Sequence, residues 1–206
     1  MLLDVSDVLK NALYLLALLN PASKVMFLAA YDPPLSFRRI FELSWKSSLA
    51  ALLILLLLAA AGDWILHQIF RVELYSLRIT GGVIVFLIGL LAVQEGHFVR
   101  NTDQQQQQQN FTDISLVPLA APLIAGPGTI TAAITCTAQS GLISTSLSLV
   151  CAIGINFLLM CFAGPINRLL VRTHLQGPLI RLTGLIIAAV AVQMIADGIH
   201  QFIRHL

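Results

Sequence analysis

The sequence predicts an all-α polytopic membrane protein. Six transmembrane helices form two inverted three-helix repeats, with helices 1 and 4 broken at proline. Three observations predict this. The first is composition: of 206 residues, 57% are hydrophobic and 11% charged, and the mean hydropathy is +0.85. Ordinary soluble domains carry roughly 25% charged residues, which keep their surface in water. So sparse a charge excludes a cytosolic enzyme, a nucleic-acid binder and a disordered chain. The second is that the apolar runs are long and continuous, whereas a transmembrane barrel shows ~10-residue alternating segments. The third is that landmarks in the first half recur in the second.

A helical span needs about 20 mostly apolar residues. Span one covers residues 8–30, and its start is acidic, with Asp4 and Asp7. It lacks the basic start and short apolar core of a cleaved leader and is read as a retained helix. Span two covers 45–66, around the run from Leu49 to Ala61, and span three covers 74–93. Span four covers 114–138 and carries Pro118, Pro122 and Pro127. Span five covers 143–170 and span six 178–199. The division is then residues 1–100 for the first repeat, 101–112 for a linker and 113–206 for the second repeat. The linker contains the run Gln104 to Gln109, a low-complexity stretch that cannot bury itself.

Orientation follows from Lys and Arg in short loops. One side carries Lys10, Arg71, Arg78 and Arg204. The other carries Arg38, Arg39, Lys46, Arg100, Arg168, Arg172 and Arg181, and as the richer side it is read as cytoplasmic. Both termini then face outward and the glutamine linker inward.

Arg78-Ile79-Thr80-Gly81 opens span three, and Arg181-Leu182-Thr183-Gly184 opens span six. Leu18-Leu19-Asn20-Pro21 in span one matches Ile124-Ala125-Gly126-Pro127 in span four at nearly the same spacing. An odd number of helices per copy makes the second copy enter the membrane in the opposite sense. That is the construction of many secondary transporters.

A proline inside a helix removes a donor and frees the carbonyl four residues back. In lipid the freed groups need protein or a water-lined cavity. Asn20 can cap a new half-helix that starts at Pro21, and Gly126-Pro127 can do the same in span four. The N–H groups of Ala22, Ser23, Gly128 and Thr129 then point into the gap, where helix N-termini attract anions. The hydroxyls of Ser23, Thr129 and Thr131 add donors. Together Asn20, Pro21, Ala22, Ser23, Gly126, Pro127, Gly128, Thr129 and Thr131 outline a polar cavity suited to a carboxylate. Asn20 and the freed carbonyls suit an ammonium. Prolines that merely kink packed helices are the plainer reading.

Lys24 stands one turn past Pro21, and either snorkels to the interface or serves the cavity. Arg78 and Arg181 at helix starts are headgroup anchors or a gating pair. Gln193 lies one turn before Asp197 on the same helix face. Gly81, Gly82 and Gly184 permit close helix packing. Nothing reads as catalysis: no HExxH, GxSxG or Walker loop occurs, and His200 and His205 are five apart. Cys136, Cys151 and Cys161 form no CxxC pair, which argues against a disulfide framework or a zinc site.

Several of these stretches together resemble the MarC family of integral membrane proteins. They are Asn20-Pro21, Arg78-Ile79-Thr80-Gly81-Gly82, the segment from Val117 to Ile130, and Arg181-Leu182-Thr183-Gly184-Leu185. The resemblance covers nearly the whole chain, and the proline-rich segment is its most specific part. It implies a six-helix inner-membrane protein of bacterial or archaeal type, both ends outside, with kinship to neutral amino-acid transporters. One matched position departs from the family, which usually shows Asn-Pro-x-Gly in span one. Here the fourth residue is Ser23, followed by Lys24.

The expectation is therefore a secondary transporter of small solutes, neutral amino acids foremost, with a passive channel or a non-transporting scaffold as the alternatives. No enzymatic activity, metal or organic cofactor is expected, and a proton or Na⁺ gradient is the natural coupling source. The partners are the lipid bilayer and a small solute, with no nucleic acid; a homo-oligomer is compatible with this.

Overall fold

In lipid every backbone N–H and C=O must find a partner within the protein, and a helix provides one locally. The computed structural model describes residues 5–29, 35–96 and 124–204, and among them it is all-helical with no strand. Eight α-helices follow in order: α1 Val5–Leu19, α2 Pro21–Ala29, α3 Phe37–Trp64, α4 Leu74–Glu95, α5 Pro127–Ser140, α6 Leu142–Cys161, α7 Ala163–Arg172 and α8 Gln176–Arg204. A π-helical turn, Ile65–Phe70, extends α3 and ends at Arg71, whose φ is +51°. Among the described residues five stretches are long and apolar enough to cross a membrane: α1 with α2, α3 with its π turn, α4, α6 and α8.

Most expected spans coincide with these helices, with shifted ends. Span two starts eight residues earlier than expected, at Phe37 rather than residue 45, because Ser36 caps the helix there and accepts a hydrogen bond from the Arg39 N–H. Span five is two helices rather than one. Pro165 has no N–H to offer the Cys161 carbonyl, and the chain turns at Phe162 before resuming as α7. Of span four, the described part is residues 124–138; Pro118, Pro122 and the glutamine run lie outside the described residues.

Helices α4 and α8 pack most extensively, and they run antiparallel. Tyr75 meets Phe202 at one end, with ring centroids 5.4 Å apart. At the other, Arg181 lies beside Gly96. Glycines set the separation. A Cβ on Gly89 would stand 2.8 Å from the Gly184 carbonyl oxygen, and one on Gly184 would stand 2.9 Å from the Gly89 oxygen. Only a hydrogen at these positions lets the two backbones approach so closely.

The second assembly is α1, α3, α5 and α6. Its core joins Leu15, Leu19, Leu55, Ile124 and Leu149. Phe157 of α6 wedges against Phe41 and Trp45 of α3, with ring centroids 5.6 and 5.9 Å away. Ser148 Oγ lies 3.0 Å from the Val8 carbonyl oxygen and joins α6 to α1. Around both assemblies, Leu53, Leu57, Leu87, Ile143, Leu182 and Leu185 point outward and exposed. An outward apolar coat of this kind suits lipid rather than water.

Candidate functional site at the paired helix breaks

Both expected breaks form. At the first, α1 stops at Leu19 and Asn20 adopts φ +49°, a left-handed conformation that asparagine tolerates better than most residues. The Asn20 N–H still reaches back to the carbonyls of Leu16 and Ala17, at 3.1 and 3.2 Å. Pro21 then starts α2, where its missing N–H costs nothing. Asn20 Oδ1 accepts from the Ser23 N–H at 3.4 Å, and Ser23 Oγ donates to the Asn20 carbonyl at 2.9 Å.

At the second break Gly126 is extended, with φ −74° and ψ 170°, and Pro127 is the first residue of α5. Thr129 Oγ1 lies 2.9 Å from the Gly126 carbonyl and 3.1 Å from that of Ile124. The two breaks thus share one device. The hydroxyl two residues past the proline donates to the carbonyl just before it.

They also lie close together. A Cβ on Gly128 would fall 2.3 Å from Val85 Cγ2 and 3.7 Å from Leu18 Cδ2. Leu18 stands two residues before Asn20, and Val85 is midway along α4. The second half-helix start therefore packs on the middle of α4, beside the side chain of Leu18 just before the first break. The first-turn N–H groups of Ala22, Gly128 and Thr129 have no carbonyl to reach within their own half-helix. Thr131 is buried a turn further on, against Gly81 of α4.

The hydroxyls of Ser23 and Thr129 are spent on the backbone of the breaks rather than aimed into a gap. A hydroxyl in a dry interior takes the nearest acceptor, here the second lone pair of the Asn20 and Gly126 carbonyls, which also accept the N–H of Ser23 and of Ile130. Lys24 resolves in the same way. Its side chain is 5% exposed, and Nζ donates to the Leu19 carbonyl. It does not snorkel to the interface. The ammonium that the freed carbonyls were expected to hold is, in this structure, the protein's own.

The remaining expected residues separate. Arg78 is buried, and both its terminal nitrogens donate to the amide oxygen of Gln139, at 2.7 and 3.2 Å. Arg181 is exposed. Gln193 is exposed too and donates to Asp197 Oδ1 at 2.8 Å, away from the breaks. Arg78 and Arg181, alike in sequence, are therefore not alike in environment.

Three features had no role in the sequence reading. Gln139 is an ordinary residue at a helix end until Arg78 is seen beside it. Asn156 is fully buried, with Nδ2 on the Met160 sulfur at 3.3 Å and Oδ1 without a hydrogen-bond partner. A cavity of about 420 Å³ opens at the end of the bundle where α8 finishes, lined by Asp63, His67, Glu73, Tyr75 and Arg204. There His67 Nδ1 lies 3.0 Å from the Asp63 carbonyl and Nε2 lies 3.1 Å from Glu73 Oε2. Regular helical periodicity gives no sign of the π turn that builds it.

Comparison with known proteins agrees with this picture. The family model described as MarC family integral membrane protein matches residues 5–203. A UPF0056 membrane protein of Pyrococcus horikoshii is 36% identical over 192 residues, covering 93% of each chain. Another, of Aquifex aeolicus, is 29% identical over 203 residues, covering 95% of this chain and 94% of its own. A third, of Bacillus subtilis, is 33% identical over 159 residues and covers 73% of this chain and 75% of its own. No solved structure matches. Five apolar membrane-length stretches among the described residues, two proline breaks and a family match over nearly the whole length lead to one assignment: the chain belongs to the MarC family of integral membrane proteins.

Proposed function

We propose that this protein is a secondary transporter of small neutral amino acids, moving its solute without converting it. The carrying observation is the pair of helix breaks, each closed by the same hydroxyl-to-carbonyl contact, with the second packed on Val85 beside Leu18 just before the first. Discontinuous helices that meet inside a bundle are the usual place for a transported solute. The first-turn N–H groups of Ala22, Gly128 and Thr129 take the carboxylate, since helix N-termini favour anions. The Leu19 carbonyl takes the amine when Lys24 swings away. Small residues at the site, among them Ala22 and Gly128, admit only a small side chain.

The reading includes six spans in two inverted units, residues 1–100 and 113–206, joined by the linker 101–112. Support comes from the shared break chemistry. It also comes from the flanks of α4 and α8, where Arg78 lies against Gly198 and Arg181 against Gly96. We place the protein in the cytoplasmic membrane with both termini outside, driven by a proton or Na⁺ gradient. Uptake of labelled glycine and alanine into proteoliposomes tests this. Saturable flux that falls as side-chain size grows supports the reading. Flux that never saturates favours a channel, and no flux from folded protein favours a scaffold.

A further inference from the structure

Arg78 is a cation buried inside an apolar bundle just over one turn into α4, at 5% exposure. Such a residue costs insertion energy and is as a rule functional. No carboxylate of the described residues stands within ion-pair distance of it. What it has is one neutral oxygen: Nη1 and Nη2 both close on the Gln139 amide at the end of α5. A guanidinium fork matches a carboxylate, which offers two oxygens and the missing charge. One amide oxygen supplies half of that geometry and none of the charge. Gly198 of α8 covers the stem, its would-be Cβ 3.2 Å from Arg78 Cβ. The Tyr14 phenol of α1 lies within electrostatic reach of both Arg78 and the Asp197 carboxylate of α8. Helices α4, α5 and α8 thus meet at a cation with no ion-pair partner among the described residues, between the second break and the end of the bundle where α8 finishes.

We propose that Arg78, with Gln139 across from it and Tyr14 alongside, is a carboxylate-receiving site, and that Gln139 holds the guanidinium only until a carboxylate displaces it. The solute's carboxylate then meets Arg78 before it reaches the half-helix N-termini. Only that last step rests on the transport reading above.

The test is thermal unfolding of the purified full-length protein with acetate, glycine, ethylammonium, chloride or phosphate added, since a ligand of the folded state raises its melting temperature. Acetate and glycine raise it and ethylammonium does not. Arg78→Gln abolishes the rise, and Arg78→Lys, which keeps the charge but loses the fork, weakens acetate binding about tenfold. Gln139→Ala, which removes the competing oxygen, strengthens it. An acetate response unchanged in Arg78→Gln overturns the proposal, and so does a response to chloride or phosphate as large as that to acetate. Should Arg78→Gln not fold, unchanged acetate affinity in both Arg78→Lys and Gln139→Ala overturns it. Arg78-dependent acetate binding without glycine flux keeps this site and removes the transport reading; saturable flux with Arg78-independent binding does the reverse.

Discussion

A lysine ammonium inside a membrane bundle needs an oxygen close by, and Lys24 takes one that the neighbouring proline break sets free. Its sequence neighbourhood announces a buried cation but not its direction, because snorkelling and back-folding start from the same position. Thr129 is simpler. Its hydroxyl serves two carbonyls at the second break, and its methyl faces a buried interior. Thr129→Val keeps the shape and removes the donor, so it should cost about 1 kcal/mol, while Thr129→Ser should cost less. Melting temperatures in detergent check the order, and equal melting of wild type and Thr129→Val would remove the hydroxyl from the account. Gly128 carries a larger penalty. Its Cβ would meet Val85 Cγ2 at 2.3 Å, so Gly128→Ala lowers stability, and adding Val85→Ala restores part of the loss. A double variant no more stable than Gly128→Ala alone would show that the second break is not packed on α4 as described.

Helices α4 and α8 touch backbone to backbone at Gly89 and Gly184. The oxygens facing these positions belong to the main chain and cannot rotate away. Gly184→Ala should therefore cost about 1–3 kcal/mol, more than an alanine at Gly154, where nothing lies within 4 Å. Thermal unfolding of the two single variants decides it, and equal losses would contradict the close contact. At this scale the sequence was most legible. Apolar runs located the helices, and Asn20-Pro21 and Gly126-Pro127 located the breaks, because helix formation and proline chemistry act within a few residues. The separation of α7 from α6 was legible in principle through Pro165, but an apolar run bridged it. The π turn after α3 carries no comparable local mark. The Arg78–Gln139 pair was hidden for a different reason. Its members lie sixty-one positions apart and meet only after α4 and α5 are packed.

The whole molecule combines one glycine-tight helix pair, α4 with α8, and a four-helix assembly that carries the breaks. Both ends of the described chain, Val5 and Arg204, belong to the same end of the bundle, and Arg172 to the opposite one. Single cysteines at Asp7, Arg204 and Arg172, in a background without Cys136, Cys151 and Cys161, should label accordingly. A membrane-impermeant thiol reagent applied outside intact cells should reach the first two and spare the third. Labelling of Arg172→Cys alone would invert the proposed orientation. The central claim is that paired helix breaks make a carrier, and counterflow tests it most directly. Proteoliposomes loaded with unlabelled glycine and diluted into a trace of labelled glycine should accumulate label transiently above equilibrium, because a carrier exchanges one solute for another. A rise to equilibrium without overshoot, or no uptake at all by folded protein, would contradict the account.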